Sequence, residues 1–76
     1  MAAKAFIMIE TAVGKTKEVV ASLDSLEGVQ SVNTVTGPYD IIAIIEREAL
    51  SDIGDLVTGK IHTVNGVSRT VTCLVI

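Results

Sequence analysis

The chain has 76 residues, a net charge of −3, one cysteine and no tryptophan, and 49% of its residues are apolar. A chain of this length forms one domain, and its apolar content excludes a disordered tail. No apolar run reaches the roughly 18 residues that a membrane-spanning helix requires. The amino terminus leads straight into a strand-like segment rather than a signal peptide. We therefore expect one soluble, cytoplasmic domain over residues 1–76.

The first half of the chain predicts two strands around a helix. Lys4–Glu10 is typical of a strand that is apolar on both faces. Lys15–Leu26 has apolar residues at helical spacing, and Gly28 follows where a helix usually ends. Val29–Thr36 is rich in β-branched residues and predicts a second strand. The glycine, proline and aspartate of Gly37–Asp40 predict a turn after it.

The second half repeats this pattern. Ile41–Glu46 is a continuous apolar run, typical of a strand buried on both faces. Leu50–Val64 has apolar residues three or four apart and predicts a second helix, although Gly54 and Gly59 weaken its helix propensity. Val67–Ile76 predicts a final long strand.

The predicted order βαββαβ indicates an α+β, ferredoxin-like fold: a four-stranded antiparallel sheet with two helices on one face. In that fold the first and third strands are central, and these are the two predicted strands that are apolar on both faces. Because the helices cover only one face, an apolar patch remains on the other, and such a patch marks an interaction surface. We therefore predict a homodimer in which two sheets pack face to face. The sequence leaves open whether Phe6 and Met8 or Ile7 and Ile9 face the partner.

Charge and residue usage exclude several kinds of chemistry. Six basic and nine acidic residues, scattered along the chain, argue against direct nucleic-acid binding, which needs a basic face. Cys73 is predicted to be a small buried hydrophobe, with a redox or intersubunit disulfide role as the alternative. His62 has no His or Cys at zinc spacing and is expected on a solvated face near a helix end. We predict no catalytic residues, no metal and no cofactor.

The Gly37-Pro38-Tyr39-Asp40 turn contains the only tyrosine and the only proline of the chain. Glycine lets backbone N–H groups approach a ligand, and Tyr39 offers an apolar plate with a polar tip. Asp40 can accept hydrogen bonds from an ammonium group or from loop amides. The alternative is a purely structural hairpin turn, made rigid by Pro38 and pinned by Asp40.

Three short motifs carry a resemblance to a known family. Gly37–Ile42 resembles the Gly-x-Tyr/Phe-Asp turn and following apolar strand of the RAM domain, the effector-binding module of the Lrp/AsnC transcription regulators. Gly28-Val29 and Gly66-Val67 are similar to the Gly-Val pairs that precede the family's second and fourth strands. Thr70-Val71-Thr72 is similar to its Thr-x-Thr motif. The resemblance covers about residues 4–76.

The resemblance implies a non-catalytic module that binds a free amino acid. In the family, dimers form through the sheets and assemble into higher oligomers, with amino acids bound between dimers. Ligand-binding candidates carried over are Gly37, Tyr39 and Asp40, with Thr70 and Thr72 from the last strand. The chain has no room for the helix-turn-helix domain of the full regulators, so it resembles a stand-alone RAM domain. The resemblance implies that it could join full-length Lrp/AsnC regulators in mixed assemblies.

Three alternatives remain open, two of another functional class and one a related binding module. One is a purely structural oligomerisation module without a ligand. Another is a small enzyme of the dimeric α+β barrel type, although such enzymes usually place a polar residue, often His, inside an enlarged cavity, and His62 does not fit that position. The third is the ACT-type binding module, which shares the fold but not the Gly-x-Tyr-Asp turn.

Overall fold

A computed structural model describes residues 2–76, and Met1 lies outside the described residues. The elements are β1 (Ala3–Thr11), α1 (Thr16–Asp24), β2 (Val29–Thr34), β3 (Ile41–Arg47), α2 (Leu50–Leu56), a π-helical turn (Val57–Ile61) and β4 (Val67–Leu74). The sheet has the strand order β2-β3-β1-β4, and all its pairings are antiparallel, which confirms the predicted ferredoxin-like α+β fold with two central and two edge strands.

The core lies between the helices and one face of the two central strands. Successive side chains of a strand point to opposite faces, so every second residue of β1 and β3 faces the helices. The register pairs these residues directly across the two strands, Ile7 with Ala43 and Ile9 with Ile41. The fully buried residues of this face are Ala5, Ile7, Ile9, Ile41, Ala43 and Ile45.

Both helices supply an apolar stripe to this core. Val19 and Leu23 of α1 are fully buried, as their helical spacing predicts. The second stripe begins at Ile53 in α2 and continues through Val57 and Ile61. No helix within residues 2–76 is long and apolar enough to cross a membrane.

The second helix differs from its predicted form. The sequence predicts one continuous helix, but α2 ends at Leu56 and the π-helical turn follows, with the His62 amide donating to the Val57 carbonyl oxygen over 2.9 Å. A spacing of four residues keeps Val57 and Ile61 on one face under either hydrogen-bond pattern. The apolar spacing therefore predicts the buried stripe but not the change of helix type. His62 is exposed at the helix end, as expected.

No part of residues 2–76 covers the face of the sheet opposite the helices. We call it the open sheet face. The register places Met8 at its centre, opposite Ile42 on one side and Val71 on the other. At its edges Lys4 lies opposite Glu46, and Arg69 Nη1 lies 3.5 Å from Glu10 Oε2. Its apolar residues, all half-buried or exposed, are Phe6, Met8, Ile42, Ile44, Val71 and Cys73.

The predicted burial of Cys73 is wrong for the single chain. Cys73 lies opposite Phe6 on the open sheet face and is exposed. The sequence shows that Cys73 belongs to an apolar strand, but β4 is an edge strand and this side chain points away from the helices.

Gly66 closes the connection to β4 in a conformation that L side chains rarely adopt, with φ +102°. A β-carbon there would lie 2.8 Å from Lys15 Cβ and 3.0 Å from Val19 Cγ2, and the Gly66 carbonyl accepts the Ala12 amide over 2.8 Å. We expect Gly66→Ala to lower the free energy of unfolding by about 2–4 kcal/mol, from backbone strain plus overpacking against a buried valine.

Gly14→Ala is the matched control for that substitution. Gly14 also has a positive φ, +79°, but a β-carbon there meets nothing within 4 Å. It should cost only the strain, about 1–2 kcal/mol, in denaturant unfolding at the same protein concentration. Equal losses in the two variants would contradict the predicted clash at Val19.

Candidate ligand-binding site

The Gly37–Asp40 turn joins β2 to β3 at one end of the sheet. The Val35 amide donates to the Asp40 carbonyl oxygen over 2.9 Å, which closes the hairpin. Gly37 has φ +117°, a value that favours glycine, and a β-carbon there would meet nothing within 4 Å. The backbone conformation of the turn therefore favours glycine at position 37, and the space beside the Gly37 α-carbon is open to a ligand.

Asp40 fastens this turn to the neighbouring central strand. Its amide donates to the Ile9 carbonyl oxygen over 2.9 Å, and its Oδ2 accepts the Thr11 amide over 2.8 Å. The half-buried carboxylate thus pins the turn to β1 rather than to the turn's own backbone. Its second oxygen, Oδ1, accepts no hydrogen bond from residues 2–76. Asp40 can therefore hold the turn and still accept a hydrogen bond from a ligand.

The turn also offers donors. The amides of Gly37 and Tyr39 donate to no acceptor within the described part of the chain, whereas Pro38 has no amide hydrogen. Tyr39 is half-buried. Two free N–H groups and a free carboxylate oxygen on four consecutive residues can bind a small molecule that carries both an acceptor and a donor.

Thr70 lies at the same end of the sheet but on another strand. It pairs with Ile9 of β1, whose other partner is Ile41, the residue after Asp40. Thr70 and Ile41 are therefore two strand spacings apart, about 10 Å. The Thr70 hydroxyl is 2.6 Å from His62 Nε2, a contact that the sequence analysis missed because it joins two elements through side chains alone.

Thr72 lies further along β4, opposite Ile7. It borders an apolar groove of about 410 Å³ between β4 and α2, whose lining includes Leu50, Ile53 and Leu74. Within one chain, the structure brings Gly37, Tyr39 and Asp40 together and leaves Thr70 and Thr72 apart from them.

The described residues contain no group of three or more His, Cys, Asp or Glu side chains that could hold a metal ion. The Lrp/AsnC ligand binding domain matches residues 4–76. The chain belongs to this family. The family membership that the turn, the two Gly-Val pairs and the Thr-x-Thr motif indicated is confirmed. This Lrp/AsnC domain family binds amino-acid effectors, mediates oligomerisation and is normally non-catalytic.

Relatives of this Lrp/AsnC domain fall into two size classes. The crystal structure of FFRP-DM1 is 34% identical with a TM-score of 0.94, and the alignment covers 97% of this chain and 99% of that one. The uncharacterized HTH-type transcriptional regulator PF0250 of Pyrococcus furiosus is 32% identical over 56 residues. That match covers 74% of this chain but only 37% of the regulator.

A more distant relative has been solved with an amino acid. The transcriptional regulator NMB0573 from Neisseria meningitidis, in complex with L-Met, is 20% identical with a TM-score of 0.88. The alignment covers 97% of this chain and 49% of the regulator. At this identity the likeness concerns the fold.

Proposed function

We propose that this Lrp/AsnC domain binds a free amino acid at the Gly37–Asp40 turn and acts as a non-catalytic homo-oligomer. The observation that carries the proposal is the set of unused hydrogen-bonding groups at the turn: the Gly37 and Tyr39 amides and Asp40 Oδ1. A free amino acid is a zwitterion. Its carboxylate requires donors and its ammonium requires an acceptor, and the turn supplies both.

The open sheet face supports the homodimer. An apolar patch of six residues on a chain of 8.0 kDa favours burial against a second copy, and both edges of the patch carry charges of both signs. A two-fold axis through the patch would place Met8 near the centre of the interface. Sedimentation should give at least twice the chain mass at micromolar concentration, and a monomer there would overturn the dimer.

Higher assembly would complete the ligand site. Thr70 and Thr72 do not reach the turn of their own chain, so in this proposal they line the pocket from a neighbouring subunit. The family's longer members, such as the Pyrococcus furiosus regulator, contain a related domain as part of a larger protein. Mixed assemblies with such regulators, formed through the same sheet face, would let this domain modulate transcription without touching DNA.

The proposal is tested by a thermal-shift screen against the twenty common amino acids, with light scattering on the same samples. A ligand that binds the native state stabilises it by about 2.7 kcal/mol at a concentration of 100 Kd. We expect one amino acid, or a chemically related group, to raise the melting temperature by several degrees. If none does at millimolar concentration while the oligomer persists, the domain is a structural oligomerisation module instead.

A further inference from the structure

A cleft lies at the opposite end of the sheet from the Gly37–Asp40 turn. It has a volume of about 510 Å³, within the usual range of roughly 300–1,000 Å³ for small-molecule sites. The six-residue step along β3 from Ile41 to Arg47 places it about 20 Å from the turn. We call it the Arg47 cleft. The charged residues that line it are Glu27, Arg47, Asp52, Asp55 and Lys60.

Arg47, which lines this cleft, is held in place by its neighbours. Its backbone pairs with Ala3 at the end of β1, and the neighbouring Glu46 amide donates to the Gly28 carbonyl oxygen over 2.9 Å. Its aliphatic stem crosses Gly28, where a β-carbon would lie 2.7 Å from Arg47 Cδ. With 33% of its side chain exposed, Arg47 has a fixed stem and an accessible guanidinium group.

The charged side chains that line the cleft form few ion pairs with one another. The only ion pair among them in residues 2–76 joins Arg47 Nη1 to Glu27 Oε1 at 4.0 Å, and the Glu27 side chain is 96% exposed. Asp52, Asp55 and Lys60 form no ion pair within the described chain. Groups of both signs therefore face one cavity while remaining available to a ligand.

We propose that the Arg47 cleft binds a free amino acid with a cationic side chain. A planar guanidinium matches a carboxylate bidentately, so Arg47 would bind the ligand carboxylate, assisted by Lys60. The carboxylates of Asp52, Asp55 and Glu27 would accept hydrogen bonds from the ligand's α-ammonium group and from its cationic side chain. Two cations and three carboxylates line the cleft, so a ligand of net charge +1 balances it. This site is separate from the turn and does not rest on the function proposed there.

L-lysine, L-norleucine and cadaverine are the probes for titration calorimetry on the native protein. Norleucine lacks the side-chain ammonium, and cadaverine lacks the carboxylate. Lysine should bind at least tenfold more tightly than either. Arg47→Met keeps the apolar stem and removes the guanidinium, so it should weaken lysine binding at least tenfold without weakening cadaverine binding, and Arg47→Lys should restore part of the loss.

Further variants keep the test decisive. If Arg47→Met does not fold, the double variant Asp52→Asn/Asp55→Asn on α2 replaces it and should weaken both lysine and cadaverine. Asp40→Asn should leave lysine binding in the cleft intact. The proposal is overturned if lysine gives no binding at millimolar concentration or binds equally to Arg47→Met. Loss of lysine binding in Asp40→Asn but not in Arg47→Met would also overturn it, by placing lysine at the turn, and would leave the function proposed there standing.

Discussion

Met8→Glu is expected to convert the proposed dimer to a monomer at micromolar concentration. Met8 lies between Ile42 and Val71 at the centre of the open sheet face, and the two-fold symmetry of the proposed dimer would bury it twice. Because Met8 is already half-buried in the single chain, two copies contribute about 1.5–3 kcal/mol on association, and their loss alone raises the dimer Kd about 10- to 100-fold. A buried carboxylate adds a further cost of several kcal/mol per ion. Sedimentation velocity across a concentration series measures the change.

Val13→Glu is the matched control for this variant. Val13 is fully exposed in the connection between β1 and α1, away from the open sheet face, and the substitution introduces the same charge. It should leave the dimer unchanged. A dimeric Met8→Glu would show that another surface forms the interface, because a glutamate cannot be buried at the centre of that patch without a partner.

Asp40→Asn is expected to weaken binding of the amino acid identified by the screen by about 1.5–3 kcal/mol, the usual contribution of a hydrogen bond to a charged group. The asparagine carbonyl can still accept the Thr11 amide, so the turn, the fold and the dimer should survive. Tyr39→Ala should also weaken binding through lost contact area. Affinity is measured by calorimetry and stability by thermal unfolding on the same samples.

Two further variants separate ligand contact from turn support. Asp40→Ala leaves the Thr11 amide without an acceptor and should lower stability by about 1–3 kcal/mol in addition to weakening binding. Asp24→Asn, which removes the same charge from an exposed residue at the end of α1, should change neither quantity. If Asp40→Asn lowers the melting temperature and leaves affinity intact, Asp40 only pins the turn. If Asp40→Asn and Tyr39→Ala both leave affinity intact, the site lies elsewhere.

The fold could be predicted from the sequence because its signals are local and periodic. The double-sided apolarity of β1 and β3 identifies them as the central strands, and the Gly-Val pairs mark where helices end and edge strands begin. Periodicity alone does not say which of two apolar sets meets the helices. That choice is made by the handedness and packing of the whole sheet, which buries Ile7 and Ile9 and leaves Phe6 and Met8 open.

The candidate site was predictable in part for the same reason. Gly37, Tyr39 and Asp40 are consecutive, so a turn motif brings them together. The hydrogen bond from Thr11 to Asp40 spans 29 residues, and the Arg47 cleft combines the α1–β2 connection, the end of β3, α2 and the π-helical turn. Such contacts depend on the strand register, and the strand register is not encoded in any single segment of the sequence.

The two aromatic side chains give this protein an internal optical label at the Gly37–Asp40 turn and another on the open sheet face. The chain has no tryptophan, one tyrosine and one phenylalanine. Tyr39 lies in the Gly37–Asp40 turn, and Phe6 lies on the open sheet face beneath the Lys4 ammonium, 5.9 Å from its ring centroid. Tyrosine emission from the unmodified chain therefore originates at the turn alone, and phenylalanine fine structure in the near-ultraviolet originates at the sheet face alone. Ligand occupancy and subunit association can thus be followed separately, in one sample, without attaching a dye.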